Sequence, residues 1–505
     1  MSKYLLILIV LVGVFKSNAQ IGGKIQVLGA RSFEYDQAAN GKIRKLIGDV
    51  RLKQDNTLLY CDSAYQYEET NYVEAFSRVH INANDSVHIY GDILKYDGNQ
   101  KRARVEKNVR MNDNTMQLTT SDIDFDMISN IANYSNGGRI VNGTSVLTSR
   151  FGYYNTKEKI FFFKKDVVLT TPDYTIKSDS LKQVTTNNTT YFLGPSTITN
   201  RLDTIYCEYG WYNNQRDVAL FSKHAKIKST KKVLEADSIY YERNNEYGKA
   251  YRNIRLTDYL NKIELNGDFG EFFGKKNQSY LTQKAYAKKM LQNDSMYLFA
   301  DTLFSYQKDT VTQQQQLVKA YRNAKILKWD MQSVSDSLVY KYDDSTITLY
   351  HSPILWSGQN QITSDTIQLF LNNNKIDSFY LLNNAFMISK ETSKHFNQVK
   401  GKYMKGLLEE SKFKYLRAYG NGQSIFYAKE EKDSSYIGVN VIDCSEMEFF
   451  FENNKIRRSN FITQPDATFY PINELKPEEL KLKGFKWMNS SRPTIKSVWI
   501  YLVKK

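Results

Sequence analysis

The chain has 505 residues, a formal net charge of +15 and three cysteines. A small, odd number of cysteines excludes a scaffold built on disulfides. The basic charge favours anionic partners, such as phosphorylated lipid head groups or acidic glycans. The sequence contains no nucleic-acid-binding motif, so no nucleic-acid partner is predicted.

The N-terminus has the pattern of a secretory signal. Lys3 precedes an uncharged apolar run over residues 4–15, and the small residue Ala19 suits signal cleavage. The run is shorter than the ~20 residues that a membrane-spanning helix needs. Residues 1–19 are therefore predicted to be a cleavable signal peptide, and the mature chain is expected to be exported.

One short motif recurs about every 30 residues through most of the chain. It consists of a small residue, then usually an acid, and apolar or aromatic residues two and four positions after the acid. The copies begin at Ala30, Cys61, Gly91, Ser121, Ser149, Ser178, Cys207, Ala236, Gly267, Ala300, Ser335 and Ser364. A period this regular predicts one small structural unit that is stacked many times.

A second motif follows the first, as in residues 250–256 (Ala-Tyr-Arg-Asn-Ile-Arg-Leu) and 320–326 (Ala-Tyr-Arg-Asn-Ala-Lys-Ile). Both motifs alternate with period two and are rich in aromatic and β-branched residues, which indicates strands. Two strands in each repeat predict an all-β fold, either an elongated open β-jellyroll or a β-solenoid. A β-propeller is excluded, because its blades need about 40–50 residues each.

The strand period also predicts which residues share a face. Strict alternation places the acid and the residues two and four positions later on one face, and the small residue on the other. We expect the aliphatic and aromatic residues to face the interior. The acid is expected at a corner of the unit, where it accepts backbone hydrogen bonds.

The repeat weakens after about residue 390. Residues 391–416 are charged and are expected to be partly helical or irregular, whereas strand patterns return in residues 418–427. The predicted organisation is therefore the signal peptide, a repetitive β-jellyroll over residues 20–390, and a divergent C-terminal extension over residues 391–505. The extension has some β structure and is expected to cap the array.

Catalytic and metal-binding motifs are missing from the sequence. Asp122, Asp124 and Asp126 alternate along one strand and could hold a cation, but calcium sites usually take six to eight oxygens from a looped backbone. The regular acids are better explained as corner residues. No enzymatic activity, cofactor or metal is predicted.

Several segments resemble the OstA/LptA-like family of lipopolysaccharide-transport proteins, particularly the OstA-like proteins of Bacteroidetes-type bacteria. The repeat itself carries the resemblance, for example in residues 91–97 (Gly-Asp-Ile-Leu-Lys-Tyr-Asp) and 108–111 (Asn-Val-Arg-Met). Longer blocks add to it at residues 194–198, 208–212 and 420–422.

The resemblance implies a periplasmic protein, with or without association with the outer membrane, that carries lipopolysaccharide toward that membrane. Lipid acyl chains would lie in an apolar jellyroll groove. The implied partners are lipopolysaccharide or lipid A, other lipopolysaccharide-transport jellyrolls and the outer-membrane translocon, joined by end-to-end strand pairing. The residues predicted to line the groove are Leu94, Tyr96, Ile239, Tyr241, Leu303, Leu338, Tyr340 and Ile367.

One alternative function stays open on sequence grounds. A structural or adhesive β-solenoid would use the same apolar positions as a fully packed core, and its basic surface would bind acidic glycans. The two functions differ in a single structural property. A lipid conduit needs an apolar interior that a ligand can enter, whereas a structural solenoid needs none.

Overall fold

A computed structural model describes residues 23–36, 43–83, 85–113, 116–291, 294–307, 316–372, 375–430, 435–472 and 474–498. The predicted signal peptide lies outside these residues. The chain divides into an N-terminal unit, residues 1–201, and a C-terminal unit, residues 202–505. Among the described residues, no helix has the length and apolar character needed to cross a membrane.

The N-terminal unit is built from antiparallel strands that follow one another as hairpins. Its strands are β1 Gln26–Gly29, β2 Ser32–Asp36, β3 Ile43–Gln54, β4 Thr57–Tyr67, β5 Tyr72–Ala83, β6 Val87–Asp97, β7 Arg102–Asp113, β8 Met116–Asp126, β9 Ile131–Tyr134, β10 Gly138–Asn142, β11 Ser145–Ser149, β12 Phe151–Asn155, β13 Ile160–Thr170, β14 Thr175–Val184, β15 Thr189–Phe192 and β16 Ser196–Thr199. A 3-10 turn, Thr185–Asn187, follows β14.

The C-terminal unit repeats this antiparallel arrangement. Its strands are β17 Thr204–Cys207, β18 Tyr209–Asn213, β19 Val218–Lys228, β20 Lys232–Glu242, β21 Tyr247–Asp258, β22 Ile263–Phe273, β23 Gln278–Thr282, β24 Tyr286–Met290, β25 Ser295–Phe299, β26 Thr302–Gln307, β27 Gln316–Leu327, β28 Met331–Lys341, β29 Thr346–Tyr350, β30 Ile354–Ser357, β31 Asn360–Thr363, β32 Thr366–Asn372, β33 Lys375–Lys390, β34 Phe396–Glu409, β35 Lys412–Lys429, β36 Tyr436–Glu452, β37 Lys455–Ile462 and β38 Asp466–Pro471. Short 3-10 turns lie at Gly274–Lys276, Asn489–Ser491 and Lys496–Val498.

The predicted all-β, repeat-built fold is confirmed, and antiparallel pairing of successive strands agrees with a jellyroll better than with a parallel β-helix. Residues 391–395 are irregular, as one part of the expectation had it, but the helical part is wrong, because β34 and β35 occupy most of residues 391–416. Long cross-strand pairing satisfies the backbone there and outweighs the locally charged composition. The domain boundary at residue 390 stays a prediction.

A corner interrupts each long strand near its middle. In β7, Lys107 and Asn108 both have positive φ, and residues 107–109 lie opposite residues 91–92 of β6. Equivalent positive-φ pairs occur at Ser77–Arg78, Lys165–Asp166, Lys223–His224, Arg252–Asn253 and Arg322–Asn323. Three residues of β7 thus lie opposite two residues of β6, so β7 contains one extra residue at this point. Such an extra residue is a β-bulge, which bends the strand. Each corner separates two walls, which we call wall A (for example residues 72–76 and 93–97) and wall B (residues 79–83 and 87–91).

The corner changes the predicted assignment of faces. In β6, the small residue Gly91 is buried, and so are Leu94 and Tyr96, although strict alternation would place Gly91 on the opposite face. The bulge shifts the alternation by one residue, so both walls turn their apolar residues inward. Burial of the aliphatic residues is therefore as predicted, whereas the placement of the small residue on the opposite face from them is wrong.

The repeat acid does lie at the corner, but its partner is mainly a side chain of the next corner pair. Asn108 donates its Nδ2–H to Asp92 at 2.6 Å, and Asn253 donates to Asp237 at 3.0 Å. Asn323 donates in the same way to Asp301 at 2.9 Å. These contacts connect neighbouring repeats and explain why an acid and an asparagine recur with the same period.

Asp113 links the outer ends of the two walls in the N-terminal unit. It is buried at the wall B end of β7, accepts a hydrogen bond from Lys159 Nζ at 2.6 Å, and accepts another from the Tyr154 hydroxyl. Burial, together with Asp113, raises the pKa of Tyr154, so this hydroxyl remains a donor at neutral pH.

Replacing Asp113 with Ala is expected to destabilise the protein by about 2–3 kcal/mol, because it leaves a buried hydroxyl and an ammonium without their acceptor. The free energy of unfolding in urea measures this loss. Asp124→Ala is the control, because Asp124 bonds Arg104 at the surface and its loss should cost no more than about 0.5 kcal/mol. Equal effects of the two changes would contradict the assigned role of Asp113.

Candidate functional site

An apolar row runs along the inner face of wall B in the C-terminal unit. Its members are cross-strand neighbours on successive strands, and each is half-buried: Ile205, Ile227, Leu234, Leu256, Leu265, Ala287 and Leu298. Six strand spacings of about 4.8 Å give this row a length of about 29 Å. Side chains that point inward and yet reach solvent indicate that the interior is open here.

The facing part of wall A contains small residues. Tyr241, Gly248, Phe272 and Ser279 are successive neighbours on its inner face, and Phe272 is 48% exposed. Small side chains beside these aromatic rings leave room between the walls. We call the space between this row and the half-buried row of wall B the open trough.

The two walls meet at the base of the open trough. A Cβ atom added to Gly270 on wall A would lie 3.4 Å from Ile254 Cδ1 on wall B. Ile239 and Ala250, which neighbour Gly270 along wall A, are buried. The base near the corners is therefore packed, and access to the trough comes from the far ends of the walls.

The same row becomes fully buried farther along the C-terminal unit. After Leu298 it continues through Ile326, Leu355, Ile362 and Met387, which are at most 3% exposed. These residues belong to one hydrophobic cluster that fills the interior between β27 and β36. The open trough therefore ends between Leu298 and Ile326.

Hydrogen bonds between the outer ends of the walls accompany this closure. Ser357 Oγ donates to the carbonyl of Ser411 at 2.6 Å, and Asn360 Nδ2 donates to the carbonyl of Asn454 at 3.0 Å. In each pair the first residue lies at the end of wall B and the second in a turn at the end of wall A. In the N-terminal unit, Gln54 Nε2 makes an equivalent bond to the Gly98 carbonyl at 2.7 Å.

A C-terminal strap, residues 474–498, covers the outer face of wall B where the interior is closed. Buried glutamines hold its backbone: Gln398 bonds the Leu480 carbonyl and the Leu482 N–H, and Gln361 bonds the Lys486 carbonyl and the Met488 N–H. Each amide thus pairs with two peptide groups as a neighbouring strand would.

The strap reaches the point where the interior opens. Arg492 donates to Gln332 Oε1 at 2.6 Å and to the Gly358 carbonyl at 2.9 Å. Val498 is fully buried against Tyr286 and Leu327. In this section wall B is therefore covered on both faces, by the inner cluster and by the strap.

The predicted groove residues fall into two groups. Ile239 and Tyr241 lie on wall A in the open trough, Ile239 buried and Tyr241 half-buried, and Leu303 is buried beside Leu281 near its end. The others lie on inner faces of the closed sections, where all are buried except the half-buried Tyr340: Leu94, Tyr96, Leu338, Tyr340 and Ile367. A lining role stays a prediction for every one of them.

The row on wall B was not among the residues predicted to line the groove, although all seven of its side chains are partly exposed. Its signal was present in the second motif, whose last aliphatic position is Leu256 in one repeat and Ile326 in another. Both residues occupy the same inner row, yet Leu256 is half-buried and Ile326 is fully buried. The motif predicts which face of the strand a residue occupies, whereas local packing decides whether that residue reaches solvent.

The aspartates considered as a cation site are partnered by protein groups. Arg104 lies 3.3 Å from Asp122 and 3.0 Å from Asp124. Hydrogen bonds from Asn136 and Ser121 hold the pKa of Asp122 below its usual value. Within the described ranges, no group of three His, Cys, Asp or Glu residues is arranged to hold a metal ion.

Cys61 and Cys207 are expected to be unreactive in the folded protein. Burial raises the pKa of each thiol to about 12, so the thiolate fraction at pH 8 is on the order of 10⁻⁴. Ellman's reagent at pH 8 should therefore modify both thiols only after unfolding in urea. A fast-reacting thiol assigned to either residue by mass spectrometry would contradict this expectation.

The bent antiparallel strands and the open trough define an all-β repeat protein whose apolar interior is accessible in one section. Residues 23–179 match the family model described as OstA-like protein, so the resemblance to the OstA/LptA-like family is confirmed over this part of the chain. No curated protein matches the chain.

Among solved structures, the chain is similar to LptH from Pseudomonas aeruginosa, described as the LptA homologous periplasmic component of the conserved lipopolysaccharide transport device. The identity is 14%, over 21% of this chain and 82% of that chain, with a TM-score of 0.20. At this score, no conclusion about fold or function follows from the similarity.

Proposed function

We propose that the protein binds lipopolysaccharide in the periplasm and carries it toward the outer membrane, with acyl chains held in the open trough. The observation that carries this proposal is the half-buried apolar row from Ile205 to Leu298 on an inner face. Protein interiors are normally close-packed, so an apolar inner surface open to solvent indicates room for an apolar ligand.

Acyl chains match the physical character of the trough. Its walls consist of aliphatic, aromatic and small side chains without a regular pattern of polar groups. They would therefore bind a ligand through buried apolar surface rather than through hydrogen bonds. Burial of an acyl chain gains roughly 0.8 kcal/mol for each methylene. The row's length of about 29 Å leaves space for an extended chain.

Cations at both open ends of the walls suit a ligand with an anionic head group. Arg216, Arg243 and Lys275 are exposed in turns at the end of wall A, and Lys231 and Lys262 are exposed in turns at the end of wall B. Charged groups of a lipid would remain at these ends, where phosphate can accept charge-assisted hydrogen bonds. Lipid A combines acyl chains with phosphates and fits both features.

The proposed partners rest on the family match and on the resemblance of the repeat. The OstA-like match of residues 23–179 supports a place among lipopolysaccharide-transport proteins, as the resemblance of the repeat also implies. Strand addition to β1 and to β38 would join the chain to other jellyrolls and to the outer-membrane translocon. Such a bridge requires a periplasmic location, and the predicted signal peptide would deliver the protein there.

The direct test is native mass spectrometry of the mature protein purified from the periplasm, followed by solvent extraction and lipid analysis. We expect lipopolysaccharide or lipid A at a defined ratio to protein. A protein that is lipid-free and also fails to bind added lipid A would overturn the proposal.

The alternative is a structural or adhesive β-solenoid that binds acidic glycans. The tightly packed interior of the N-terminal unit, with Leu46, Ile81 and Ile89 fully buried, is the observation in its favour. Retention of acidic glycan by a protein that ignores lipid A would support this alternative.

A further inference from the structure

Exposed apolar side chains lie along one border of the open trough. They occupy turns at the outer end of wall B: Leu202 is 80% exposed and Leu260 is 65% exposed, and Trp329, in the first turn beyond the open section, is 79% exposed. Tyr259 and Leu291 are further exposed residues of this border. We call these five residues the apolar rim.

The turns of the apolar rim are neighbours in the structure. Tyr259 N donates to the Lys231 carbonyl at 3.0 Å, and Met290 N donates to the Lys262 carbonyl at 2.9 Å. These bonds connect three successive turns at the end of wall B. Single exposed apolar residues are ordinary on protein surfaces, but several of them along the same edge indicate an interaction site.

Lysines alternate with the apolar residues along this border. Lys228, Lys231 and Lys262 are exposed, and they lie on the same turns or at the strand ends beside them. The opposite border differs in character, because its turns at residues 214–217 and 243–246 contain only Asn, Gln, Arg, Asp and Glu. The combination of apolar tips and lysines is therefore specific to one side of the trough.

We propose that the apolar rim docks on the surface of a lipid bilayer that contains anionic head groups. Trp and Tyr are enriched at the boundary between lipid and water, and lysines beside them reach the head groups. Protein–protein interfaces, by contrast, are depleted in lysine. The bilayer is therefore the partner that this mixture of residues fits.

Docking through the apolar rim brings the mouth of the open trough to the membrane surface. Leu234 and Leu256 of the trough lie on strands that end in the docking turns. An acyl chain could then pass between bilayer and trough without crossing a wide layer of water. This transfer of acyl chains rests on the proposed function, whereas the membrane contact itself does not.

The test is flotation of the full mature chain with vesicles of phosphatidylethanolamine and phosphatidylglycerol, compared with phosphatidylcholine vesicles. We expect the chain to float with the anionic vesicles and to bind less at high salt. The double variant Leu260→Ser/Trp329→Ser should bind roughly 100-fold more weakly, about tenfold for each side chain withdrawn from the lipid. Ile128→Ser is the matched control, since Ile128 is 67% exposed in the N-terminal unit.

The outcomes are separable. Failure of the unmodified chain to float, or equal flotation of the double variant and the control, would overturn the membrane contact. Flotation of a chain that never loads lipid A would support the contact and overturn the proposed function. Unchanged circular dichroism and urea midpoints would show that the substitutions act at the surface.

Discussion

Replacing Leu256 with Asp is expected to reduce lipid A loading by roughly 100-fold, because a carboxylate in the middle of the apolar row must be desolvated against an acyl chain. Leu256 is half-buried, so in the lipid-free protein the carboxylate can reach water. The free energy of unfolding should therefore fall by only about 1 kcal/mol. Quantitative lipid extraction and urea unfolding of the same preparation measure the two effects.

Two variants make this result specific. Leu407→Asp places the same charge on a side chain that is 40% exposed outside the inner row, and lipid loading should remain normal. Leu355→Asp places it in the same inner row where exposure is 0%, and the protein should lose more than about 4 kcal/mol of stability. Normal loading by Leu256→Asp would exclude the open trough as the lipid site.

Replacing Gln361 with Ala is expected to destabilise the C-terminal unit by about 3 kcal/mol. The buried amide of Gln361 accepts from Met488 N and from Trp356 Nε1 and donates to the Lys486 carbonyl. Its removal leaves these three groups without a partner around a position that is 1% exposed, at a cost of roughly 1 kcal/mol or more for each. Urea unfolding followed by tryptophan fluorescence measures the loss.

Hydrogen exchange adds a local measurement of this second prediction. Amides of β30, β31 and the strap should lose protection together in Gln361→Ala, because the strap covers those strands. Gln368→Ala is the control, since Gln368 is half-buried on β32 and its loss should change stability by no more than about 0.5 kcal/mol. Local protection equal to that of the unmodified chain would show that the strap does not stabilise wall B.

These two results bear on different sections of the C-terminal unit. Leu256 tests the section where the inner row is open, and Gln361 tests the section that the strap covers. Strands pair antiparallel in both sections, and the same inner row runs through both. A difference in their behaviour would therefore come from packing and not from a change of fold.

The sequence by itself determined the repeat, the all-β class and the inward aliphatic positions. Residues at the motif positions of Leu94, Ile239 and Leu338 are buried as expected, because period-two alternation fixes the face of a strand between two corners. It missed the shift of faces at the corner, because the positive-φ residues there, such as Lys107 and Asn108, are not glycine, the residue type that usually signals a positive φ. It also favoured partly helical or irregular structure over residues 391–416, although β34 and β35 pair over most of that segment.

Only the tertiary structure decided where the interior is open. Leu256 and Ile326 occupy the same motif position, yet Leu256 is half-buried and Ile326 is fully buried. The difference arises from contacts between residues far apart in the chain, such as Ser357 with Ser411 and Gln361 with the strap. The sequence of one repeat determines its own strands and corner. Closure of the interior depends instead on which side chains, distant in the chain, meet at the ends of the walls.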